Sequence, residues 1–218
     1  IPNGIDPARV EPTQPLSNIR EALGIHAGAP IILSTGRLAA QKGFEYLIEA
    51  VAMLKQRSPQ SFRVIIAGEG PLRDALQRQI QRLGVAESVR LIGFYKTIGD
   101  LYALADLVVL PSLWEGLSIA LLEAMAAGKP IITTTIGSNL EATDNGRVAR
   151  LVPPKDAHAL ANAIQQMLGD PQQAAHYAHR ARDHFMQHYT ETRMLEQYRQ
   201  LYCEVLDAAH SDTRRSSK

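Results

Sequence analysis

The chain has 218 residues, of which 45% are hydrophobic and 21% charged, and its formal net charge at neutral pH is +1. That length buries one good core, and the balance is that of a soluble globular domain. A charge so near zero argues against nucleic acid as a partner. A single cysteine, Cys203, excludes a disulfide framework and points to a reducing, cytoplasmic compartment. No apolar run reaches the ~18 residues of a membrane span, and no signal-peptide pattern opens the chain.

The first residues, Ile1-Pro2-Asn3-Gly4-Ile5-Asp6-Pro7, carry turn chemistry, and the loose, proline-containing stretch to Pro15 has the composition of a linker. A short helix is expected over Ile19 to Leu23, ended by Gly24. Ile31 to Thr35 is the first clear strand, stopped by Gly36, and Phe44, Leu47, Ile48, Val51 and Leu54 recur at helical spacing after it. Strand signals follow at Phe62 to Ala67 and Val89 to Ile92. Helices are expected on Leu72, Ala75, Leu76, Ile80 and Leu83, and on Leu101, Leu104 and Ala105.

The stretch from Ala105 to Ile132 is the most informative. An apolar strand, Leu107 to Leu110, breaks at Pro111-Ser112, and the turn Leu113-Trp114-Glu115-Gly116 leads into a helical run stopped by Gly128-Lys129-Pro130. That run is apolar all round and therefore buried. Glu123 sits inside it and Glu115 at its entrance, and a carboxylate in such a helix needs a partner or a ligand. Gly116 allows close backbone approach, and a strand, turn and helix N-terminus in succession make a phosphate cradle. Ile131 to Thr134 and Val148 to Val152 supply two more strands. Asp156 caps a helix through Leu168, two further helices cover about Pro171 to Tyr189 and Thr190 to Ala209, and a polar, disordered tail is expected from Ser211 to Lys218.

Strands alternating with helices predict an α/β fold, a doubly wound parallel sheet of Rossmann-like type, with its ligand beyond the carboxyl ends of the strands. That edge collects Gly36-Arg37 and Lys42-Gly43 after the first strand, Gly68-Glu69-Gly70 after the second, Gly93-Phe94-Tyr95-Lys96 after the third, and Glu115-Gly116 after the fourth. An arginine fork and a lysine point charge suit a diphosphate, and Phe94 offers an aromatic near a base. Glu115 and Glu123 are at most ~12 Å apart if both are helical, the scale of a nucleoside diphosphate sugar.

These motifs resemble the C-terminal, donor-binding domain of group 1 (family 4) retaining glycosyltransferases, which have the two-domain GT-B fold. The matching residues are Pro2-Asn3-Gly4-Ile5-Asp6, Gly36-Arg37-Leu38 with Lys42-Gly43, Gly68-Glu69-Gly70-Pro71, Gly93-Phe94, and Pro111-Ser112 followed by Glu115, seven residues and Glu123. The resemblance covers about residues 1 to 170. It implies Arg37 and Lys42 on the donor diphosphate, Glu123 on the ribose hydroxyls, Glu115 on the donor sugar, and the backbone of Gly116, Leu117 and Ser118 on the distal phosphate. Gly36, Gly93 and Phe94 complete the nucleotide site. Two departures, Gly137-Ser138 for a usual glycine pair and Ala149 for a usual glycine, fall on the sugar side.

The domain boundaries implied are a linker at 1–15, a nucleotide-sugar-binding domain at 16–190, a C-terminal helix at 190–210 and a tail at 211–218. The resemblance also implies a facing N-terminal domain that binds an acceptor sugar or lipid-linked sugar. It leaves room for peripheral membrane association of a full-length enzyme at the inner face of the membrane. The chain is then half an enzyme, inactive alone, with an apolar stripe on its last helix (Met194, Leu195, Tyr198, Leu201, Tyr202, Val205) short of a partner.

Plainer readings compete. Gly68 to Gly70 alone is an ordinary strand–helix turn, Lys42 alone a solvated charge, and the two glutamates alone ion-pair members. A non-catalytic nucleotide-binding module is the alternative from another class, and a phosphorylase-like or glucan synthase domain shares the fold. His176, His179, His184 and His188 spread over half a helix, a solvated face rather than a metal site. The sequence has no Asp-x-Asp pair, which fits a site that holds a diphosphate with Arg and Lys and needs no cofactor or metal.

Overall fold

The structure is a computed structural model that describes residues 1–25, 28–57 and 62–215, with side chains described through residue 207. Six strands form one all-parallel sheet: β1 (Ile31–Thr35), β2 (Arg63–Ala67), β3 (Val89–Gly93), β4 (Leu107–Leu110), β5 (Ile131–Thr134) and β6 (Arg150–Val152). Their spatial order is β3-β2-β1-β4-β5-β6. The chain starts in the middle, winds outward to β3, and returns to the other side of β1 at β4. The crevice between the carboxyl ends of β1 and β4 is thus the topological switch point, where ligands of open α/β sheets bind.

All nine residues of β1 and β4 are buried, as strands covered on both faces must be. Alternate strand residues feed two cores. Leu33, Ile65, Val108 and Leu110 pack with α4 (Ile98–Leu104), α5 (Ile119–Ala126) and α8 (Pro171–His188). Ile32, Val64, Ile66 and Val109 pack with α2 (Phe44–Arg57), α3 (Arg73–Arg82) and α7 (Ala157–Gly169). The helix starts follow local chemistry. Asp156 caps α7 by accepting the Ala159 N–H at 2.8 Å, and Asp170, followed by Pro171, caps α8 at Gln173.

The remaining helices are α1 (Leu16–Ala22), α6 (Gly137–Ala142) and α9 (Glu191–Arg215). The short helix α6 is absent from the sequence reading. The last helix extends to Arg215, beyond the point where an unstructured tail is expected; residues 216–218 lie outside the described residues. Leu195, Tyr198, Leu201, Tyr202 and Val205 are exposed along α9, as the expected stripe requires. Met194 is engaged: its sulfur accepts the Gly4 N–H at 3.2 Å.

The opening stretch differs most from expectation. Rather than a loose linker it is a strap fixed at both ends. Ile5 forms a parallel bridge with Thr190, its N–H bonding Tyr189 O at 3.0 Å and its carbonyl taking the Glu191 N–H at 3.0 Å. Pro7–Val10 makes a 3-10 turn capped by Asp6. Gly99 has no Cβ because one would sit 2.2 Å from the Glu11 carbonyl. Asp100, fully buried at the start of α4, then accepts Thr13 N at 2.7 Å, Gln14 Nε2 at 3.0 Å and Thr97 Oγ1 at 2.8 Å. Proline-rich composition reads as slack; the buried carboxylate that takes up the strap's donors lies some 87 residues away in sequence.

Burial tends to raise the Asp100 carboxyl, but the donors from Thr13, Gln14 and Thr97 together outweigh it and leave it below its ordinary value. Asp100→Ala strands those donors, and a loss of about 1–3 kcal/mol in urea unfolding at neutral pH is expected. Because the folded carboxyl is depressed, the wild-type advantage is present above about pH 4 and is lost as pH falls through the folded value. An equal difference between the two proteins at all pH values would contradict this role.

Candidate functional site

The strand ends and the strap enclose a cleft of about 970 Å³ lined by Arg9, Thr35, Gly36, Arg37, Lys42, Glu69, Phe94, Glu115, Leu117, Ser118 and Glu123. Close backbone packing builds its floor. Gly68, at φ 150°, lies so near the loop after β1 that a Cβ would fall 1.9 Å from the Gly36 carbonyl. Leu38 N donates to Glu69 O at 2.9 Å, and Leu72 N to Leu38 O at 2.9 Å. The Gly68-Glu69-Gly70 turn therefore scaffolds the Gly36–Leu38 loop, the plainer of its two readings.

Glu115 sits against Lys42 in the cleft. The Lys42 ammonium pairs with Glu115 Oε1, Gln41 Nε2 donates to Oε2 at 2.9 Å, and Ser112 Oγ donates to Oε1 at 2.9 Å. Both partners are largely enclosed, with side chains 16% and 8% exposed. Lys42 reaches this position across Gly36, where a Cβ would stand 3.1 Å from Lys42 Cε. Arg37 is exposed at the same edge and has no ion pair or side-chain hydrogen bond among the described residues.

The N-terminus of α5 opens into the cleft. Ser118 makes no side-chain cap, and the backbone N–H groups from Gly116 to Ala120 have no protein acceptor among the described residues. No atom lies within 4 Å of a Cβ built on Gly116, so packing within the protein does not demand glycine there. Unpaired amides at a helix start, with the helix dipole behind them, form an anion-binding surface.

Glu123 is 5% exposed and has two partners the sequence reading did not name. Arg9 Nε, from the strap, lies 2.7 Å from Oε1, and the Tyr102 hydroxyl lies 3.2 Å from Oε2. Tyr102 is fully buried; its hydroxyl also meets Thr35 Oγ1 at 3.2 Å and Ala120 O at 3.1 Å. Burial first, then the Glu123 charge, push the phenol well above its ordinary value, so it remains a hydrogen-bond donor. The demand that Glu123 have a partner is legible in the sequence, but the partner is not. Arg9 was hidden by linker composition, and Tyr102 by its place in an unremarkable short helix.

Phe94 stands 77% exposed at the rim beside Tyr95. The histidines do not form a uniformly solvated face. His184 is half-buried, with its ring 4.5 Å from that of His188, and desolvation, then His188, lower its pKa. A second cavity, of about 710 Å³, adjoins it, but three arginines there are balanced by Glu141, Asp144 and Asp183. No cluster of metal-ligand type occurs among the described residues, and none of the described helices is long and apolar enough to cross a membrane.

A doubly wound sheet thus gathers cations, unpartnered amides and two carboxylates at its switch point. The family model described as Glycosyl transferases group 1 matches residues 17–184, and the chain belongs to that family. It is 37% identical over 155 residues to an uncharacterized glycosyltransferase of Methanocaldococcus jannaschii, covering 70% of this chain and 39% of that one. It is 35% identical over 158 residues to the alpha-D-kanosaminyltransferase of Streptomyces kanamyceticus, covering 72% of this chain and 40% of that one. The chain thus spans well under two thirds of these relatives' length. Among solved structures, Anabaena HepE in complex with UDP superposes with a TM-score of 0.84 at 30% identity, covering 94% of this chain and 57% of that one. The same protein with UDP-glucose gives the same score.

The Lys42–Glu115 pair yields a stability test. Lys42→Ala leaves Glu115 with neutral donors alone in an enclosed site, at an expected cost of about 3 kcal/mol. Adding Glu115→Gln to that variant should return part of the loss in chemical denaturation. Additive losses would show that the two side chains do not interact as described.

Proposed function

We propose that this chain is the donor-binding domain of a retaining glycosyltransferase and holds a nucleoside diphosphate sugar in the switch-point cleft. The observation that carries the reading is the run of unpartnered amides from Gly116 to Ala120, which shares one cleft with Arg37, Lys42 and Glu123. The likeness to a protein solved with UDP and with UDP-glucose supports it.

In this reading the diphosphate lies on the amides at the start of α5, between Arg37 and Lys42. Donor binding replaces the Lys42–Glu115 pair: the lysine turns to phosphate oxygens and Glu115 accepts hydroxyls of the sugar. As the anomeric bond breaks, negative charge grows on the leaving diphosphate. Once the donor is bound, two cations and a helix N-terminus face that position and stabilise the charge without further reorganisation. The reading calls for no metal ion and assigns no enzymic nucleophile; Glu115 orients the sugar. Glu123 takes the ribose, and Phe94 stands at the base end.

Acceptor positioning and exclusion of water belong to a facing domain, against which the exposed α9 face packs. The isolated chain should accordingly bind donor nucleotide yet transfer no sugar to any of a panel of acceptors; transfer by residues 1–218 alone would contradict the division of labour.

Calorimetry with UDP, GDP and ADP tests the site. Glu123→Ala should weaken binding of the preferred nucleotide by about 1.5–3 kcal/mol, the worth of hydrogen bonds to a charged group. Arg37→Ala should weaken the nucleoside diphosphate more than the free nucleoside, and added salt should reduce the difference. Equal losses for both ligands would remove Arg37 from the phosphates.

A further inference from the structure

The strap passes directly over the carboxylate that the reading above assigns to ribose, and the inference drawn here rests on that reading. Glu123 has two oxygens with about four acceptor positions between them. Arg9 Nε occupies one position on Oε1, at 2.7 Å. The Tyr102 hydroxyl, from the buried side, occupies one on Oε2, at 3.2 Å. Tyr102 has a single proton, which it directs to Glu123 and to Ala120 O, so the contact with Thr35 is donated by the threonine. One acceptor position per oxygen is left, and the carboxylate lines the cleft. Two adjacent acceptors on a clamped carboxylate match two adjacent hydroxyls.

We propose that Arg9 is a positioning residue of the nucleotide site: with Tyr102 behind, it locks the Glu123 carboxylate in the orientation that accepts both hydroxyls of a ribose cis-diol. The chemical class selected is a ribonucleotide over its 2′-deoxy counterpart. Without Arg9 the carboxylate keeps only its Tyr102 bond and turns about that one contact. It then greets one hydroxyl as readily as two.

Arg9 does this work from the edge of the site. Its side chain is 58% exposed, against 7% for Glu123, so the arginine contributes little burial of its own. Its placement comes from the strap: the Asp6 cap, the buried Val10, the Glu11 carbonyl against Gly99, and the Asp100 cluster beyond. The ribose end of the cleft is therefore set by a segment outside the strand–helix core.

The test compares UDP, GDP and ADP with their 2′-deoxy forms by calorimetry, using the whole chain and its Arg9→Ala, Arg9→Lys and Tyr102→Phe variants, with thermal unfolding measured alongside. The unaltered chain is expected to favour the ribonucleotide by about tenfold, the loss of one hydrogen bond to a charged group. In Arg9→Ala the ratio should fall to about threefold or less, alongside a lower melting temperature because Glu123 is left with a neutral partner alone. The ratio compares two ligands on the same folded protein and does not depend on that loss. Arg9→Lys should recover part of it, and Tyr102→Phe should lower it independently. A ratio unchanged in Arg9→Ala would overturn the role of Arg9 while leaving nucleotide binding in place. Absence of binding by the unaltered chain would overturn the nucleotide reading, and this inference with it.

Discussion

A carboxylate inside an apolar helix is the constraint on which the rest of this domain depends. Five of the seven other residues of α5 are buried, and Glu123 among them is 5% exposed, where an uncompensated charge is costly. Two partners hold it, one from each side. Tyr102 approaches from α4 beneath, and Arg9 from the strap above. This pairing adds a tie between the sheet's helical layer and a strap that Ile5, Val10 and the Glu11 carbonyl also anchor. Asp100, at the start of the helix that carries Tyr102, fixes the same strap a few residues later. Two buried carboxylates thus convert a proline-rich stretch into one wall of a cleft.

The topology determines what that wall faces. With β1 and β4 adjacent at the centre and their connections leaving in opposite directions, their carboxyl ends open a crevice that none of the described helices fills. The loop after β1 brings Arg37 and Lys42 to one side. The turn after β4 brings Glu115 and the open start of α5 to the other. Charge in the crevice is arranged, not merely abundant. Lys42 is paired with Glu115 and Arg9 with Glu123, while Arg37 and the α5 amides remain open to an anion. The cavity beside His184 has comparable numbers of charged side chains, but Arg147 is already paired with Asp144.

The sheet was readable because both its faces are covered. Continuous apolar runs such as Ile31 to Leu33 and Leu107 to Leu110 have no other use in a chain of this composition, and their alternation with helical periodicity dictates parallel order. The edge residues were readable too, since each of the first three strands ends in a glycine followed by a charged or aromatic residue, and the fourth leads to Glu115-Gly116. What periodicity does not encode is which distant side chain satisfies a buried one. Arg9 meets Glu123 across 114 residues, and Thr13 meets Asp100 across 87. Both contacts are set by the way the strap docks, which follows from tertiary packing at Ile5, Val10 and Gly99 rather than from local propensity. The short helix α6 escaped for a similar reason: six residues containing Gly137, Ser138 and Asn139 have the composition of a loop, and Asn139 is fixed in a helix by buried bonds to Thr133 and Thr134.

Placement of a nucleotide is the central claim, and a crystal structure of the chain grown in turn with UDP, GDP and ADP tests it most directly. The account predicts density for at least one of them in the switch-point cleft, with the diphosphate on the Gly116–Ala120 amides beside Arg37 and both ribose hydroxyls on Glu123. A nucleotide bound elsewhere, such as the cavity by His184, or an empty cleft with all three at saturating concentration, would contradict it.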